Sequence, residues 1–356
     1  MIFALGYVII GLLLFLLRAK QANHMVKGSE NSISFTVIIP FRNEAQHLPR
    51  IIQCIEKQTL SVNIIFVNDH STDESKQFLS NLGVNFKSIE NEGEGKKSAI
   101  LSALPFVETE YFLTLDADVY FDEHFFKAVS QLPENDLSIL PVFMTSTNII
   151  GAFGTYEYAR LQTVNFIASA LKRPIMASGA NLLVRKKTFE DLCPFEHNLN
   201  YLSGDDQFTL KAMYVNDKKI HLVHTRSCAV KTEAPQQLKP LLAQRKRWIS
   251  KSHKVNDGFA NGLGMTLLLI QIAYFASVIH SIFHVNLWTF CILIGAKIIV
   301  DYLVFSYELK RYASKTLFLY WPIFEWLYPL FGFTLILSLF SNKGTWKKRA
   351  LNTKIE

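Results

Sequence analysis

The segment YFLTLDADVYF (residues 111–121) places two carboxylates, those of Asp116 and Asp118, directly after a largely apolar run. Such a run predicts a strand that is buried on both faces, as the strands of a parallel sheet are. The two carboxylates repel each other, so their close spacing calls for a positive partner. Carboxylates completed by phosphate oxygens and water are typical ligands of divalent cations. We therefore predict a Mg²⁺ or Mn²⁺ site at Asp116 and Asp118, where this strand ends.

Two upstream segments show the same pattern of an apolar run followed by polar residues. SFTVIIPFRNE (34–44) predicts a strand that ends before Glu44, and VNIIFVNDHSTDES (62–75) predicts one that ends at Asp69. EAQHLPRIIQCIEKQ (44–58), between them, has apolar residues at helical spacing. This alternation predicts an α/β, Rossmann-like domain with a mostly parallel sheet and helices on both faces. Ligands of such sheets bind at the carboxyl ends of the strands, where these acidic residues lie.

A second acidic pair, Asp205 and Asp206, lies in YLSGDDQFTLKAM (201–213), a segment typical of a loop that enters a helix. Repulsion from one carboxylate raises the affinity of its neighbour for a proton. A carboxylate of this kind suits a general base that takes a proton from an attacking hydroxyl. We predict Asp206 as the catalytic base and Asp205 as the residue that orients it or contacts the acceptor. The alternative for each acidic pair is a solvated loop or a helix N-cap, where Asp is common.

The segment EGEGKKSAI (92–100) places Lys96 after a glycine at a predicted helix start. It is not a P-loop, because Glu90 occupies the position where that motif has its first glycine. A lysine at a helix N-terminus favours phosphate, so Lys96 is a candidate contact to the phosphates of a substrate. An exposed lysine is the alternative.

The segment QRKRWIS (244–250) contains Gln244, Arg247 and Trp248 close to the predicted membrane region. An arginine fork matches phosphate oxygens, so we predict that Arg247 binds a diphosphate. Trp248 would then lie beneath a sugar or lipid acceptor. The alternative is a basic helix at the membrane surface whose long side chains extend to lipid headgroups.

Apolar residues are concentrated at the two ends of the chain. The chain is 49% hydrophobic, with a mean hydropathy of +0.17. We predict a retained transmembrane anchor over residues 1–20, followed by a domain over 30–258 on the cytoplasmic side, because positive charge follows the anchor. Residues 260–342 form a membrane region of two or three spans, the last either a full crossing or a re-entrant segment. Residues 343–356 form a basic tail.

The net charge indicates which kinds of partner to expect, and the spacing of the cysteines indicates the state of their thiols. The net charge of +7 gathers beside apolar spans, which favours lipid headgroups and an anionic substrate over nucleic acid. The four cysteines lie far apart without a CxxC pair, which is typical of reduced thiols. Lys297 and Asp301 stand four residues apart in an apolar segment and are predicted to form a structural ion pair rather than a transport site.

In chain order over residues 34–250, these motifs resemble the family 2 glycosyltransferases, in particular their membrane-anchored branch of ceramide glucosyltransferases and, more distantly, processive cellulose and hyaluronan synthases. The resemblance rests on VIIPFRNE, IIFVNDHSTDES, GKKSAI, LDADVYF, SGANLLVRK, GDDQFTLKA and QRKRW. It implies a GT-A fold with transmembrane helices at both ends of the chain. It also implies a nucleotide-sugar donor, a divalent cation and inversion at the anomeric carbon.

The resemblance also implies a role for each matching residue. Base and ribose would be framed by Pro40, Glu44 and Asp69; Lys96 and Asp116 would line the donor; Asp118, with Asp116, would bind the metal; Asp206 would be the base; Gln244, Arg247 and Trp248 would close over diphosphate and acceptor. Asp205 stands where the family often has Glu. Phe208 and Thr209 follow where an acidic residue and Leu are frequent, which leaves the register of that helix open.

The expected function is therefore an inverting glycosyltransferase that acts on a membrane-presented acceptor, a lipid or a lipid-linked sugar. A processive polysaccharide synthase is the nearest alternative, and a non-enzymatic membrane protein with a regulatory nucleotide-sugar-binding-like domain is another. The sequence does not determine the sugar, the nucleotide, the acceptor or the oligomeric state.

Overall fold

The computed structural model of this chain describes residues 2–23, 32–81, 86–201, 203–284, 287–312, 315–339, 345–346 and 349–350. The strands within these ranges are β1 (Phe35–Phe41), β2 (Asn63–Asn68), β3 (Lys87–Glu90), β4 (Tyr111–Leu115), β5 (Leu137–Ile139), β6 (Val142–Thr145), β7 (Asn181–Arg185), β8 (Ile220–Leu222), β9 (Val230–Glu233), β10 (Thr345–Trp346) and β11 (Arg349–Ala350). The helices are α1 (Ile2–Asn23), α2 (Leu48–Glu56), α3 (Ser75–Ser80), α4 (Gly95–Ala103), α5 (Phe125–Ser130), α6 (Ile149–Ala170), α7 (Lys186–Leu192), α8 (Asp205–Val215), α9 (Leu238–Val255), α10 (Gly258–Phe283), α11 (Leu287–Tyr312) and α12 (Lys315–Leu339).

The central sheet has the strand order β3-β2-β1-β4-β7-β5-β8. The neighbours β3 and β2, β2 and β1, β1 and β4, and β5 and β8 are parallel, whereas β7 runs antiparallel to β4 and β5. The predicted mostly parallel α/β sheet is confirmed. The direction of β7 is not encoded in its apolar pattern, because a buried strand has the same pattern in either direction. The reversal brings the segment before β7 to the edge where β1, β2 and β4 end.

Both faces of the sheet are covered at its centre, which explains why β1, β2 and β4 are largely apolar. Val37 and Ile39 of β1 pack in one cluster with residues of α2 and α5, whereas Ile38 packs on the other face with residues of α4 and α8. Each fully buried side chain of this type contributes about 1.5–3 kcal/mol to folding. The core therefore fixes the sheet, and the polar residues after each strand are held at its edge.

A third apolar cluster joins α6 to the terminal helices α1, α10, α11 and α12. Helices α1 and α11 pack closely at Gly11, where an added Cβ would lie 2.1 Å from Val300 Cγ1. Two of these helices, Gly258–Phe283 and Leu287–Lys310, are long and apolar enough to cross a membrane.

The N-terminal helix α1 covers residues 2–20 of the predicted anchor. The last predicted span forms one continuous helix, α12, with Pro322 and Pro329 inside it. Most of the predicted tail lies outside the described residues. The boundaries of the anchor, domain, membrane region and tail stay predictions.

Candidate active site

The loops after β1 and β2 are bound to each other, which fixes one edge of the sheet. The Asn43 side-chain oxygen accepts from the Thr72 backbone N–H at 2.8 Å, and the Asn43 N–H donates to Ser71 Oγ at 3.1 Å. Arg42 Nη1 donates to the Asp69 carbonyl oxygen at 2.6 Å. Asn43 has a φ of 53°, a left-handed conformation that asparagine tolerates better than most residues.

Pro40 and Glu44 stand at this same edge. Pro40 pairs in register with Val67 of β2. The Glu44 carboxylate lies 2.7 Å from His47 Nδ1, and its backbone N–H donates to Ser75 Oγ at 2.8 Å. The predicted contacts of Pro40 and Glu44 with a nucleotide stay predictions.

Asp69 joins the end of β2 to the start of α4. Its side chain is buried, and Oδ1 accepts from the Gly95 N–H at 2.9 Å and from Asn91 Nδ2 at 2.8 Å. This pair of bonds sets where α4 begins, and Lys96 is the next residue along that helix. Asp69 therefore positions the predicted phosphate-binding lysine in addition to any contact of its own with a ligand.

Lys96 bridges the two acidic pairs. Its ammonium forms an ion pair with Asp116, donates to the Gly179 carbonyl at 2.8 Å and lies 3.5 Å from Asp205 Oδ2. Burial by itself would lower the pKa of Lys96, but the charges of Asp116 and Asp205 outweigh it and hold the pKa above its usual value. The alternative of an exposed lysine is wrong, because this side chain lies inside the acidic cluster.

Gly179, just before β7, permits this close approach. A Cβ at Gly179 would lie 2.1 Å from Asp205 Oδ2 and 2.8 Å from Lys96 Nζ. The Gly179 carbonyl also accepts from Thr114 Oγ1 at 3.0 Å. A larger residue at this position would push Lys96 or Asp205 out of the cluster.

Asp205 and Asp206 begin α8, and both are buried. Burial and the charge of Asp206 raise the pKa of Asp205, although Lys96 works in the opposite direction. The Asp206 carboxylate accepts from Lys251 Nζ at 3.1 Å through Oδ1 and at 3.0 Å through Oδ2. Its other partners are the backbone N–H groups of Gln207, at 2.8 Å, and Gly179, at 3.4 Å.

Arg247 of α9 lies within electrostatic reach of both acidic pairs. Burial lowers its pKa, while the charges of Asp116, Asp118 and Asp206 each favour its charged form. The Asp116 side chain is 42% exposed, and Asp118 is also exposed. The sequence-predicted residues at the end of β4, the start of α8 and on α9 are therefore brought together.

Gln244 and Trp248 of the QRKRW motif both contact Arg245, a residue to which the sequence pattern assigns no role. Arg245 is buried, with Nε 2.5 Å from Glu157 Oε2, and its guanidinium lies 4.1 Å from the centroid of the Trp248 ring. It also donates to the Gln244 side-chain oxygen. Trp248 packs beside Tyr158 of α6, with ring centroids 5.7 Å apart. The acceptor contacts of Gln244 and Trp248 stay predictions.

Lys97 is a second buried residue that the sequence pattern does not single out. Its ammonium donates to Asn198 Oδ1 at 2.7 Å and lies 4.7 Å from the centroid of the Phe208 ring. Burial lowers the pKa of Lys97 from 10.5 to about 8. This contact fastens α4 to the loop that leads into Asp205.

Asp116 and Asp118 fit a divalent cation by the chemistry of their oxygens. Among the described residues, no three or more His, Cys, Asp or Glu side chains group closely enough to enclose a metal. A cation held by these two carboxylates would depend on phosphate and water for its remaining ligands, as Mg²⁺ commonly does. The structure leaves the metal site a prediction.

Residues 36–192 match the family described as glycosyl transferase family 2. The matched segment runs through β1, β2, β4 and β7 and includes Asp69, Lys96, Asp116 and Asp118. The resemblance to the family 2 glycosyltransferases that the motifs predict is therefore confirmed over this segment, which is less than half of the chain.

Solved structures agree on the fold. The mannosyltransferase PcManGT from Pyrobaculum calidifontis, determined in complex with GDP-Man and Mn²⁺, aligns with a TM-score of 0.50 at 15% identity, over 95% of this chain and 92% of its own. At 15% identity the alignment supports a shared fold and nothing further. The predicted GT-A fold is confirmed.

Curated relatives match over shorter segments. The 4,4'-diaponeurosporenoate glycosyltransferase of Staphylococcus haemolyticus (strain JCSC1435) is 28% identical over 111 residues, 30% of this chain and 30% of the relative. The teichoic acid poly(glycerol phosphate) polymerase of Staphylococcus epidermidis is 36% identical over 89 residues, 23% of this chain and 12% of the relative. The matches thus span less than a third of either relative.

Proposed function

We propose that this protein is an inverting glycosyltransferase that moves a sugar from a nucleotide-diphosphate sugar to a lipid or lipid-linked sugar at the membrane. The observation that carries the proposal is the meeting of Asp116, Asp118 and Asp206 with Lys96 and Arg247 at one edge of the sheet. This set combines oxygen ligands for a cation, positive charges for a diphosphate and a buried carboxylate for proton transfer. The family match supports glycosyl transfer as the reaction.

The donor would bind over β1, β2 and β4. Pro40, Glu44 and Asp69 would frame the base and ribose, which suits their positions near the end of β1 and in the hydrogen-bonded loops after β1 and β2. Lys96 and Arg247 would contact the diphosphate, as a point charge and as a fork.

The cation would be held by Asp118 together with Asp116. When bound, Mg²⁺ or Mn²⁺ neutralises the negative charge that develops on the departing diphosphate. The structure of PcManGT with GDP-Man and Mn²⁺ supports the choice of a divalent cation.

Asp206 would act as the base in a single displacement. The acceptor hydroxyl oxygen forms a bond to the anomeric carbon from the face opposite the diphosphate, and the hydroxyl proton passes to Asp206. The bond from that carbon to the diphosphate breaks, and its electron pair leaves with the nucleoside diphosphate. Arg247 and Lys96 would stabilise this new charge, and the configuration at the anomeric carbon inverts.

The position of α9 supports an acceptor that comes from the membrane. α9 carries Gln244, Arg247 and Trp248, ends at Val255 and is followed directly by the long apolar helix α10. The catalytic site would therefore stand beside the bilayer, on the cytoplasmic side if Arg18 and Lys20 obey the positive-inside rule.

The test is a screen of radiolabelled nucleotide sugars against membranes that contain the protein, with and without EDTA, followed by mass analysis of the lipids. We expect one donor to label a lipid, and we expect EDTA or Asp118→Ala to remove the label. A labelled polymer would identify a processive synthase instead. Absence of transfer from every donor would contradict the proposal and favour a binding protein.

A further inference from the structure

Lys251 limits how an acceptor hydroxyl reaches Asp206, because its ammonium contacts both oxygens of the Asp206 carboxylate. A carboxylate has about four positions at which it accepts hydrogen bonds. At Asp206 these positions are taken by Gln207 N–H, Gly179 N–H and two contacts from Lys251 Nζ. An acceptor hydroxyl can therefore donate to Asp206 only by replacing one of these partners. The two backbone groups are fixed by α8 and by the segment before β7, whereas Lys251 lies at the end of a flexible side chain.

The surrounding charges make Lys251 the direct electrostatic partner of Asp206. The groups that face this site are Asp205 from α8, Lys96 and Lys97 from α4, Asp116 after β4, Tyr158 from α6, and Arg247 and Lys251 from α9. Lys96 lies against Asp116 and Asp205, and Lys97 is bonded to Asn198. Of these cations, Lys251 forms an ion pair with Asp206 at 3.0 Å, and its side chain is 16% exposed.

We propose that Lys251 is a positioning residue for the reaction. It holds the Asp206 carboxylate in place while the site awaits an acceptor, and it yields one carboxylate oxygen when the hydroxyl arrives. The inference rests on the proposed function, because it assigns a partner to the proposed base.

The test compares Lys251→Met with the wild type in the transfer assay over a range of pH. Loss of the ammonium leaves a buried carboxylate beside Asp205, so protonation should compete with catalysis at higher pH. We expect kcat to fall by up to about 10²-fold, the cost of misplacing a reacting group by about 1 Å. We also expect the acid limb of the pH profile to move to higher pH, with little change in the KM for the donor. Lys251→Arg should restore both the rate and the profile.

Lys239→Met, an exposed substitution on the same helix, is the matched control and should leave the profile unchanged. A Lys251→Met enzyme that folds and loses rate equally at every pH, or one with the wild-type rate, would overturn the inference. In that case an inactive Asp206→Asn would leave the proposed function standing. Substantial turnover by Asp206→Asn would overturn the role of Asp206 itself.

Discussion

Within the described part of the chain, the candidate active site and the packed helices α6, α11 and α12 each hold a cluster of charged residues, and these clusters differ in their access to solvent. The candidate active-site cluster consists of Asp116, Asp118, Asp205, Asp206, Lys96, Arg247 and Lys251. The helix-bundle cluster consists of Arg160 of α6, Lys297 and Asp301 of α11, and Glu325 of α12. The second cluster has two cations and two carboxylates with side chains only 1–5% exposed. The first has four carboxylates to three cations, and Asp116 and Asp118 are open to solvent.

In the helix-bundle cluster, each charged group is paired with a group of opposite charge. Glu325 lies 2.5 Å from Arg160 and 3.1 Å from Lys297, and it accepts from Trp321 Nε1 at 2.8 Å. Lys297 and Asp301 form the predicted ion pair, which is confirmed. Balanced, closed charges of this kind join α6 to α11 and α12. The contrast shows that the balance of the charges and their access to solvent matter more than their number. An open cluster with excess carboxylate can receive a cation and, with it, a phosphate. A closed, neutral cluster has no room for either.

The largest expected effect on the transfer rate comes from a substitution in the candidate active-site cluster. Asp206→Asn removes the proposed base while preserving its shape, so we expect transfer to fall by about 10²–10⁴-fold. The measurement is the initial rate of sugar transfer in membranes. Asp191→Asn, the same change at an exposed position of α7, should retain the wild-type rate. Near-normal turnover of Asp206→Asn would end the distinction between a catalytic and a structural cluster.

Substitutions in the helix-bundle cluster should change the stability of the protein and not its transfer rate. Glu325→Gln leaves Arg160 and Lys297 with one carboxylate between them, and we expect a loss of about 3–5 kcal/mol in the free energy of unfolding. Chemical denaturation in detergent measures it, with the exposed Glu123→Gln as the control. The transfer rate per folded molecule should stay unchanged. A stable Glu325→Gln protein that has lost transfer would show that this cluster takes part in the reaction.

The smallest expected effect concerns Lys97, whose pKa burial lowers from 10.5 to about 8. Between these two pH values the unfolded chain binds the proton that the folded protein has released, so stability rises with pH over this window. Relative to Lys97→Met, the wild type should gain on the order of 1 kcal/mol between about pH 8 and about pH 10. Denaturation curves at several pH values measure this difference. A difference that does not vary with pH would show that Lys97 stays protonated in the folded protein.

Local pattern predicted the donor side of the fold well. β1, β2 and β4 are largely apolar because helices cover both sheet faces, and each run ends where polar residues begin. α6 has no counterpart among the predicted elements. Its buried residues, which include Tyr156, Glu157 and Arg160, lie around most of its circumference, so the helix lacks the one-sided apolar stripe by which a surface helix is recognised.

The sequence by itself determined which side chains stand at the strand ends, because strand and helix periods are local and a buried strand must be apolar. Only the tertiary structure decided the direction of β7 and the partners of the buried charges. Lys251 meets Asp206 across 45 residues, Arg245 meets Glu157 across 88, and Lys97 meets Asn198 across 101. No local period encodes such contacts. They follow from the packing of α4, α6, α8 and α9, which brings each buried charge to the partner that offsets its loss of water.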